Sequence, residues 1–274
     1  MFQYQGKTAL ITGASAGIGA AFARALAARG ANVILVARSE DKLQALADEL
    51  ARAHGVRAEV VAADLARAGA ARELYDEVDR RSLAVDLLVN NAGFGTSGRF
   101  ETLAPERDGA EVALNVAAVV DLTHLFLPAM LAQGDGAVVN VASISAFMPG
   151  PYSAVYGATK AFVLSFSEAL WAECCGRGVR VLALCPGATA TEFFDVVGTD
   201  AAGVLGAKRA PAQVVETGLR ALERNRSYAV DGLANYLMVQ APRVVPRGIV
   251  ARLVARVARP RQAAPRQGAV ARHR

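Results

Sequence analysis

"TALITGASAGIGAAFARAL", residues 8–26, decides the fold. A short apolar run from Thr8 to Thr12 enters a glycine-bearing turn and leaves it as an alanine- and leucine-rich helical stretch. Gly13, Gly17 and Gly19, with Ser15 and Ile18 between them, sit where a strand gives way to a helix. Glycines there let the backbone approach a pyrophosphate, and the helix N-terminus attracts the negative charge. The three residues between Gly13 and Gly17 set this turn apart from the commoner dinucleotide fingerprint. A plain glycine turn is the alternative, and the rest of the chain decides between the two.

Outward from this turn, β-rich runs alternate with helical ones: ANVILVA at 31, RAEVVAA at 57, VDLLVNN at 85, AVVNVAS at 137, VRVLALCP at 179 and SYAVDG at 227. Helical stretches such as Gly17 to Arg29, Ser39 to His54 and Arg67 to Arg80 separate them. Several runs are apolar throughout, as strands covered by helices on both faces are. The pattern predicts an α/β fold, a doubly wound parallel sheet (Rossmann-type) in a single domain over residues 1–240. After Pro186 the rhythm breaks, and a mobile substrate loop is expected at about 188–210, before a helix from Pro211 to Arg224. Residues 241–274 are expected to be a basic amphipathic extension with a disordered end from Pro260.

The chain has 274 residues, of which 53% are hydrophobic and 20% charged, as expected of a globular domain. Cys174, Cys175 and Cys185 show no paired spacing, which fits a reduced, cytoplasmic compartment. His54, His124 and His273 are scattered, so no metal site is expected. The longest uncharged stretch, Gly136 to Thr159, is broken by Pro149, Gly150 and Pro151 and does not read as a membrane helix. The N-terminus lacks the basic start and cleavage site of a signal peptide. The net charge of +5 is unevenly spread: nine of the 30 basic residues are arginines in Arg243–Arg274, leaving 21 basic against 25 acidic residues before them. The basic pI therefore gives no reason to expect nucleic acid as a partner.

NNAG at 90–93, Asn115, Ser143, YGATK at 156–160 and PG at 186–187 follow the glycine turn in order. Tyr156 and Lys160 are four residues apart, so a helix brings them onto one face. A phenol with a pKa near 10 is a poor acid or base at pH 7, and a cation within about 4–6 Å can lower it by about 1–3 units. Lys160 is the nearby cation. On these motifs, which cover about residues 5–235, the chain resembles the short-chain dehydrogenase/reductase family.

The resemblance implies a nicotinamide cofactor and four catalytic residues. Tyr156 is the general acid or base, Ser143 hydrogen-bonds the carbonyl oxygen, Lys160 also holds the nicotinamide ribose, and Asn115 anchors a water on the proton path. Ser145 competes with Ser143 but fits the family spacing less well. Asp64 would bond the adenine amino group, with helix capping as its alternative role. Asn90, Asn91, Ala92 and Gly93 are expected along the adenine-ribose channel. Pro186 and Gly187 lead to Thr191, which would bond the carboxamide, with Thr189 as competitor.

Ala37 and Arg38 end the second strand where an enzyme preferring NAD usually carries an acid. Arginine suits a 2′-phosphate, so NADP (NADPH) is favoured over NAD, although Glu40 and Asp41 follow closely and Ala16 replaces a second basic residue. Phe94, Phe147, Met148, Phe193, Phe194, Val196 and Val197 suggest a hydrophobic carbonyl or alcohol substrate, of the 3-oxoacyl, steroid or lipid-like kind. An NADP-dependent oxidoreductase interconverting a ketone and a secondary alcohol follows. An NAD-dependent alcohol dehydrogenase and a non-catalytic dinucleotide-binding sensor are the alternatives. Apolar positions on Asn115–Met130 and Tyr152–Cys174 predict a homodimer or homotetramer. RGIVARLVARVAR at 247 places Ile249, Val250, Leu253, Val254 and Val257 opposite Arg252, Arg256 and Arg259, a pattern suited to peripheral contact with an anionic membrane or to packing on the domain itself.

Overall fold

The computed structural model describes residues 2–191, 208–243 and 245–259. Seven parallel strands form one sheet: β1 (Thr8–Thr12), β2 (Asn32–Ala37), β3 (Ala58–Ala62), β4 (Leu87–Asn90), β5 (Gly136–Val141), β6 (Val179–Cys185) and β7 (Tyr228–Val230). Their order is β3-β2-β1-β4-β5-β6-β7. The direction of travel reverses between β1 and β4, so the carboxyl ends of these two strands flank the crevice where such sheets take ligands.

Side chains leave a strand on alternate faces, and each β-run feeds two cores. Ile11, Leu35, Val89, Val139 and Leu184 pack on one face with Phe22 and Leu26 of α1 (Gly17–Ala27), Leu43 and Leu50 of α2 (Glu40–His54), and Val215 and Leu219 of α7 (Pro211–Glu223). Leu10, Ile34, Leu88, Val138 and Val181 pack on the other. They meet Leu74 of α3 (Ala70–Arg80) and Leu122, Phe126 and Met130 of α5 (Ala118–Gln133) there. α6 (Ala154–Glu173) covers β6 on this side through Val163 and Leu164. Both faces are covered, as the continuous apolar strands require.

α4 (Pro105–Val112) runs into α5 through a π-helical segment, Ala113–Ala117. The whole helix, Pro105–Gln133, is long and apolar enough to cross a membrane by length and composition, yet its inner side is committed to the core described above. On the outer face of α6, Phe162 stacks on Phe166 at 5.8 Å. This is the apolar surface to which the expected homo-oligomer points.

After β6 the chain is clamped. Arg209 N–H donates to Ala188 O and Ala190 N–H to Arg209 O, both at 2.9 Å. The Arg209 guanidinium donates to the fully buried Asp231, which also accepts the Thr217 hydroxyl at 2.7 Å. Beyond β7 come α8 (Leu233–Gln240), which the sequence patterns did not reveal, and α9 (Arg247–Val257). Of the apolar stripe on α9, Val250 is buried while Ile249, Leu253 and Val257 are about half exposed. Most of the expected substrate loop and the expected disordered end, residues 192–207 and 260–274, lie outside the described residues.

Two glycines calibrate this packing. A Cβ on Gly19 would stand 2.2 Å from the Gly13 carbonyl oxygen, whereas one on Gly109, in α4, would meet nothing within 4 Å. Gly19→Ala is expected to cost about 1–3 kcal/mol through overpacking. Gly109→Ala should stabilise by up to about 1 kcal/mol through helix propensity. Urea denaturation of the two variants checks both, and similar midpoints would contradict the tight seat of Gly19.

Candidate active site

The glycine turn is held from two strands at once. The Thr12 hydroxyl accepts the Asn91 and Ala92 N–H groups, each at 3.0 Å, and donates to Val89 O at 3.3 Å. The Asn91 amide donates to Thr12 O at 2.8 Å. Gly13 and Gly17 adopt left-handed φ of 65° and 56°, open to glycine at little cost. A Cβ on Gly13 would stand 2.9 Å from Ala92 Cα, and one on Gly17 2.9 Å from Thr191 Cγ2. The N-terminus of α1 has no side-chain cap and no acid in its first turn. Its free N–H groups and the bare turn therefore fit a pyrophosphate. Ser15 and Ile18 flank this turn, both half-buried.

Arg38 is exposed at the end of β2, directly after Ala37. Asp64, exposed after β3, accepts the Ala66 N–H at 3.1 Å, so one carboxylate oxygen caps the turn that follows. Asn90 does not face the channel expected for it. Its amide is buried and donates to Asn140 Oδ1 at 2.8 Å, while the Asn140 amide donates to Ser167 Oγ at 2.9 Å. Thr189 is also committed elsewhere, donating to Gly187 O at 3.0 Å, which leaves Thr191 as the threonine beside Gly17. Ile144 N–H donates to Pro186 O at 3.0 Å and ties this segment to the end of β5.

Ser143 lies two residues past β5, at the start of a 3₁₀ turn (Ile144–Phe147), and accepts the Ser145 N–H at 3.1 Å. Its side chain eases the ionisation of Tyr156, which sits half-buried in the first turn of α6. Lys160, only 6% exposed, donates from Nζ to Val141 O at 2.8 Å. A Cβ on Gly93 would stand 2.8 Å from Asn115 Oδ1 and 3.4 Å from Lys160 Nζ, so both groups converge on this glycine. Asn115 is buried in the π-helical segment, a feature that recurs at functional sites. Its amide donates to Phe94 O at 2.9 Å and to Thr159 Oγ1 at 3.1 Å, and it accepts the Phe94 N–H at 3.2 Å.

The expected lowering of the phenol by Lys160 is not found in the protein alone. Burial pushes Tyr156 up to about 12, the Ser143 side chain opposes this, and the Glu111 charge adds to it. Lys160 Nζ stands 5.8 Å from the centroid of the Tyr156 ring and is bonded to a carbonyl instead. Burial in turn pulls Lys160 down to about 8, with Glu111 and Cys185 opposing. Desolvation thus outweighs pairing at both groups.

Sequence patterns missed Glu111, one helical turn before Asn115 and fully buried. A glutamate within the apolar period of a helix was the signal available. A cavity of about 200 Å³ opens beside the first turn of α6, between Gly98–Leu103 and Tyr152–Val155. Phe147 packs on Tyr228 at 5.8 Å between ring centroids. Phe193, Phe194, Val196 and Val197 lie outside the described residues.

The chain is similar to known proteins in sequence and in fold. The sequence is 36% identical to a 7beta-hydroxysteroid dehydrogenase of Collinsella aerofaciens, over 68% of this chain and 70% of that protein. It is 35% identical to a very-long-chain 3-oxoacyl-CoA reductase of Anas platyrhynchos, over 70% of this chain and 62% of the relative. A solved short-chain dehydrogenase from Sphingobium yanoikuyae in complex with NADPH superposes with a TM-score of 0.78 at 33% identity, covering 94% of this chain and 98% of that one. Several curated relatives are longer, and the match spans about six-tenths of their length. The short chain dehydrogenase family model matches residues 7–202. That span takes in every strand but β7 and every residue named at the site except Tyr228, and the chain belongs to the short-chain dehydrogenase/reductase family.

Proposed function

We propose that the protein is an NADP-dependent oxidoreductase that interconverts a ketone and a secondary alcohol on an apolar small molecule of the 3-oxoacyl, steroid or lipid-like class. The observation that carries this reading is the meeting of the Ser143 side chain and the Tyr156 phenol with Lys160 buried 5.8 Å from the phenol ring. Relatives named for hydroxysteroid and 3-oxoacyl-CoA chemistry support the substrate class, and the NADPH complex together with Arg38 supports the cofactor.

The nicotinamide cofactor, when bound, supplies or takes up the hydride. The chain's own residues handle the proton. Ser143 and Tyr156 present two hydroxyls that would hold one carbonyl oxygen. Held at about 12, the Tyr156 phenol keeps its proton at neutral pH and yields it to a developing alkoxide, which suits an acid in the reductive direction. Gly93 keeps open the space on which Lys160 and Asn115 converge, where the cofactor's ribose would be held.

Tyr156→Phe removes one proton donor and little volume. Its turnover should fall by about 100-fold or more, with NADPH binding unchanged. The assay is NADPH absorbance with a panel of 3-oxoacyl, steroid and small carbonyl compounds, and substantial remaining turnover would refute the role. Arg38→Ala should weaken NADPH about ten- to a hundredfold and NADH little. Equal losses in a fluorescence titration would make Arg38 a surface residue only.

Lys160 also sets a pH dependence of stability. Its folded value of about 8 lies below the ordinary lysine value of about 10.4. Between the two, the unfolded chain binds a proton that the folded chain does not, so this residue's contribution to stability rises with pH. The stability of Lys160→Met relative to the natural protein should therefore fall as pH goes from about 7 to about 10. Urea titrations across that range measure it, and a constant difference would mean that Lys160 is not desolvated.

A further inference from the structure

Behind Asn115 and Lys160 lies a group of side chains that the reductase reading leaves without a task. Glu111 has no exposed surface, and its Oε1 has no hydrogen-bond partner among the described residues. Its Oε2 is 2.8 Å from the hydroxyl oxygen of Thr96, itself almost fully buried. The same hydroxyl is 2.9 Å from Asp108 Oδ1, and Asp108 reaches the surface on the first turn of α4.

A threonine hydroxyl has one hydrogen to give and two lone pairs with which to accept. It cannot donate fully to two carboxylates, so the second short contact is satisfied when one carboxyl carries a proton and donates to the threonine. Glu111 is the acid to hold it. Burial penalises its charge, and a neutral carbonyl oxygen can be left without a partner at lower cost than half of a buried carboxylate. Asp108 is better hydrated and takes the charge. The proton order is then Glu111 O–H to Thr96 Oγ1, and Thr96 O–H to Asp108 Oδ1.

The charged and titratable groups that bear on Glu111 are Asp108 on its own helix and Lys160 and Tyr156 on α6. Glu111 and Lys160 act on each other electrostatically, and Glu111 acts on Tyr156. We propose that Asp108, Thr96 and Glu111 form a proton-conducting row that joins solvent to the buried Lys160–Tyr156 pair. The inference rests on the reductase reading above. When Tyr156 has given its proton to the alkoxide, the phenolate recovers one from the Lys160 ammonium. The Lys160 amine, which makes no direct hydrogen bond or ion pair with Glu111, takes one from the Glu111 carboxyl by way of the water expected on Asn115, one helical turn further on. Glu111 is then reprotonated through the Thr96 hydroxyl, which accepts a proton from the Asp108 side as it passes its own inward. Each turnover draws one proton from solvent, as reduction of a carbonyl requires. Glu111 is thus a positioning residue for that proton and acts through Lys160.

Infrared difference spectroscopy of the full-length chain, without substrate, reads the proton directly. At neutral pH the natural protein should show the carbonyl stretch of a protonated carboxylic acid, and Glu111→Gln should lose it. With the best carbonyl of the panel, Glu111→Gln should lower kcat about tenfold and flatten its pH profile, with the KM for NADPH unchanged and partial rescue in Glu111→Asp. Matching infrared spectra in the two proteins, or a Glu111→Gln enzyme with the natural kcat and pH profile, would overturn the proposal. Should Glu111→Gln fail to fold, Thr96→Val carries the test. The acid band should shift as its hydrogen bond is lost, and an unchanged band would overturn the proposal. Absence of turnover in the natural protein with every carbonyl tested would instead remove the reductase reading, and the infrared band would still decide whether Glu111 holds the proton.

Discussion

One hydroxyl, on Thr12, holds together the crevice from which the rest of the site is measured. It receives two N–H groups from the end of β4 and returns its own hydrogen to Val89, so β1 and β4 finish at a fixed offset. From that knot the geometry propagates by contact. Ala92 lies against Gly13, Gly93 follows Ala92, and Asn115 and Lys160 close on Gly93. A displacement of the first turn would therefore reach the proton-handling side of the crevice within a few residues. The cofactor half and the chemical half of the site form one packed unit.

Beneath this edge runs a buried polar row. Asn90 and Asn140 face each other across β4 and β5, and Thr123 and Ser167 extend the row into α5 and α6. Apolar residues would fill this volume without the cost of matching donors to acceptors. What the row adds is register, because a slip of one residue would leave amides buried without partners. That register places Ser143, three residues past Asn140, at the mouth of the crevice. Lys160 and Tyr156 express the same economy in reverse. Their surroundings are poor hosts for charge, and each is displaced toward its neutral form by desolvation.

The seven strands were legible because β-branched and aliphatic runs separated by amphipathic stretches permit few other arrangements, and their observed ends fall within a few residues of the expected ones. The site residues were legible where order and spacing along the chain carry information, as with Tyr156 and Lys160. Their electrostatics were not, since spacing places a cation near a phenol but says nothing of the carbonyl that claims it. Asn90 misled for a related reason. Two adjacent asparagines at a strand end point to opposite sides of the sheet, and only packing shows which one meets the crevice. Glu111 escaped notice because a lone acid in a helix reads as a solvated face, and its burial arises from contacts with Thr96, fifteen residues earlier in the chain.

The clamp at Arg209 has a consequence for how such a protein can change over evolutionary time. Ala188 and Ala190 on one side and Arg209 on the other are joined by backbone hydrogen bonds, and Asp231 anchors the arginine from a strand beyond. Whatever sequence connects residues 191 and 208 leaves from and returns to the same two points. Lengthening such a connection costs little, about 0.6 kcal/mol for each doubling of length. Substitutions and insertions between the clamped ends thus leave the two anchoring points themselves in place. The fold fixes where this stretch of chain begins and ends while leaving its length open, and a lineage can vary it without unpicking the sheet.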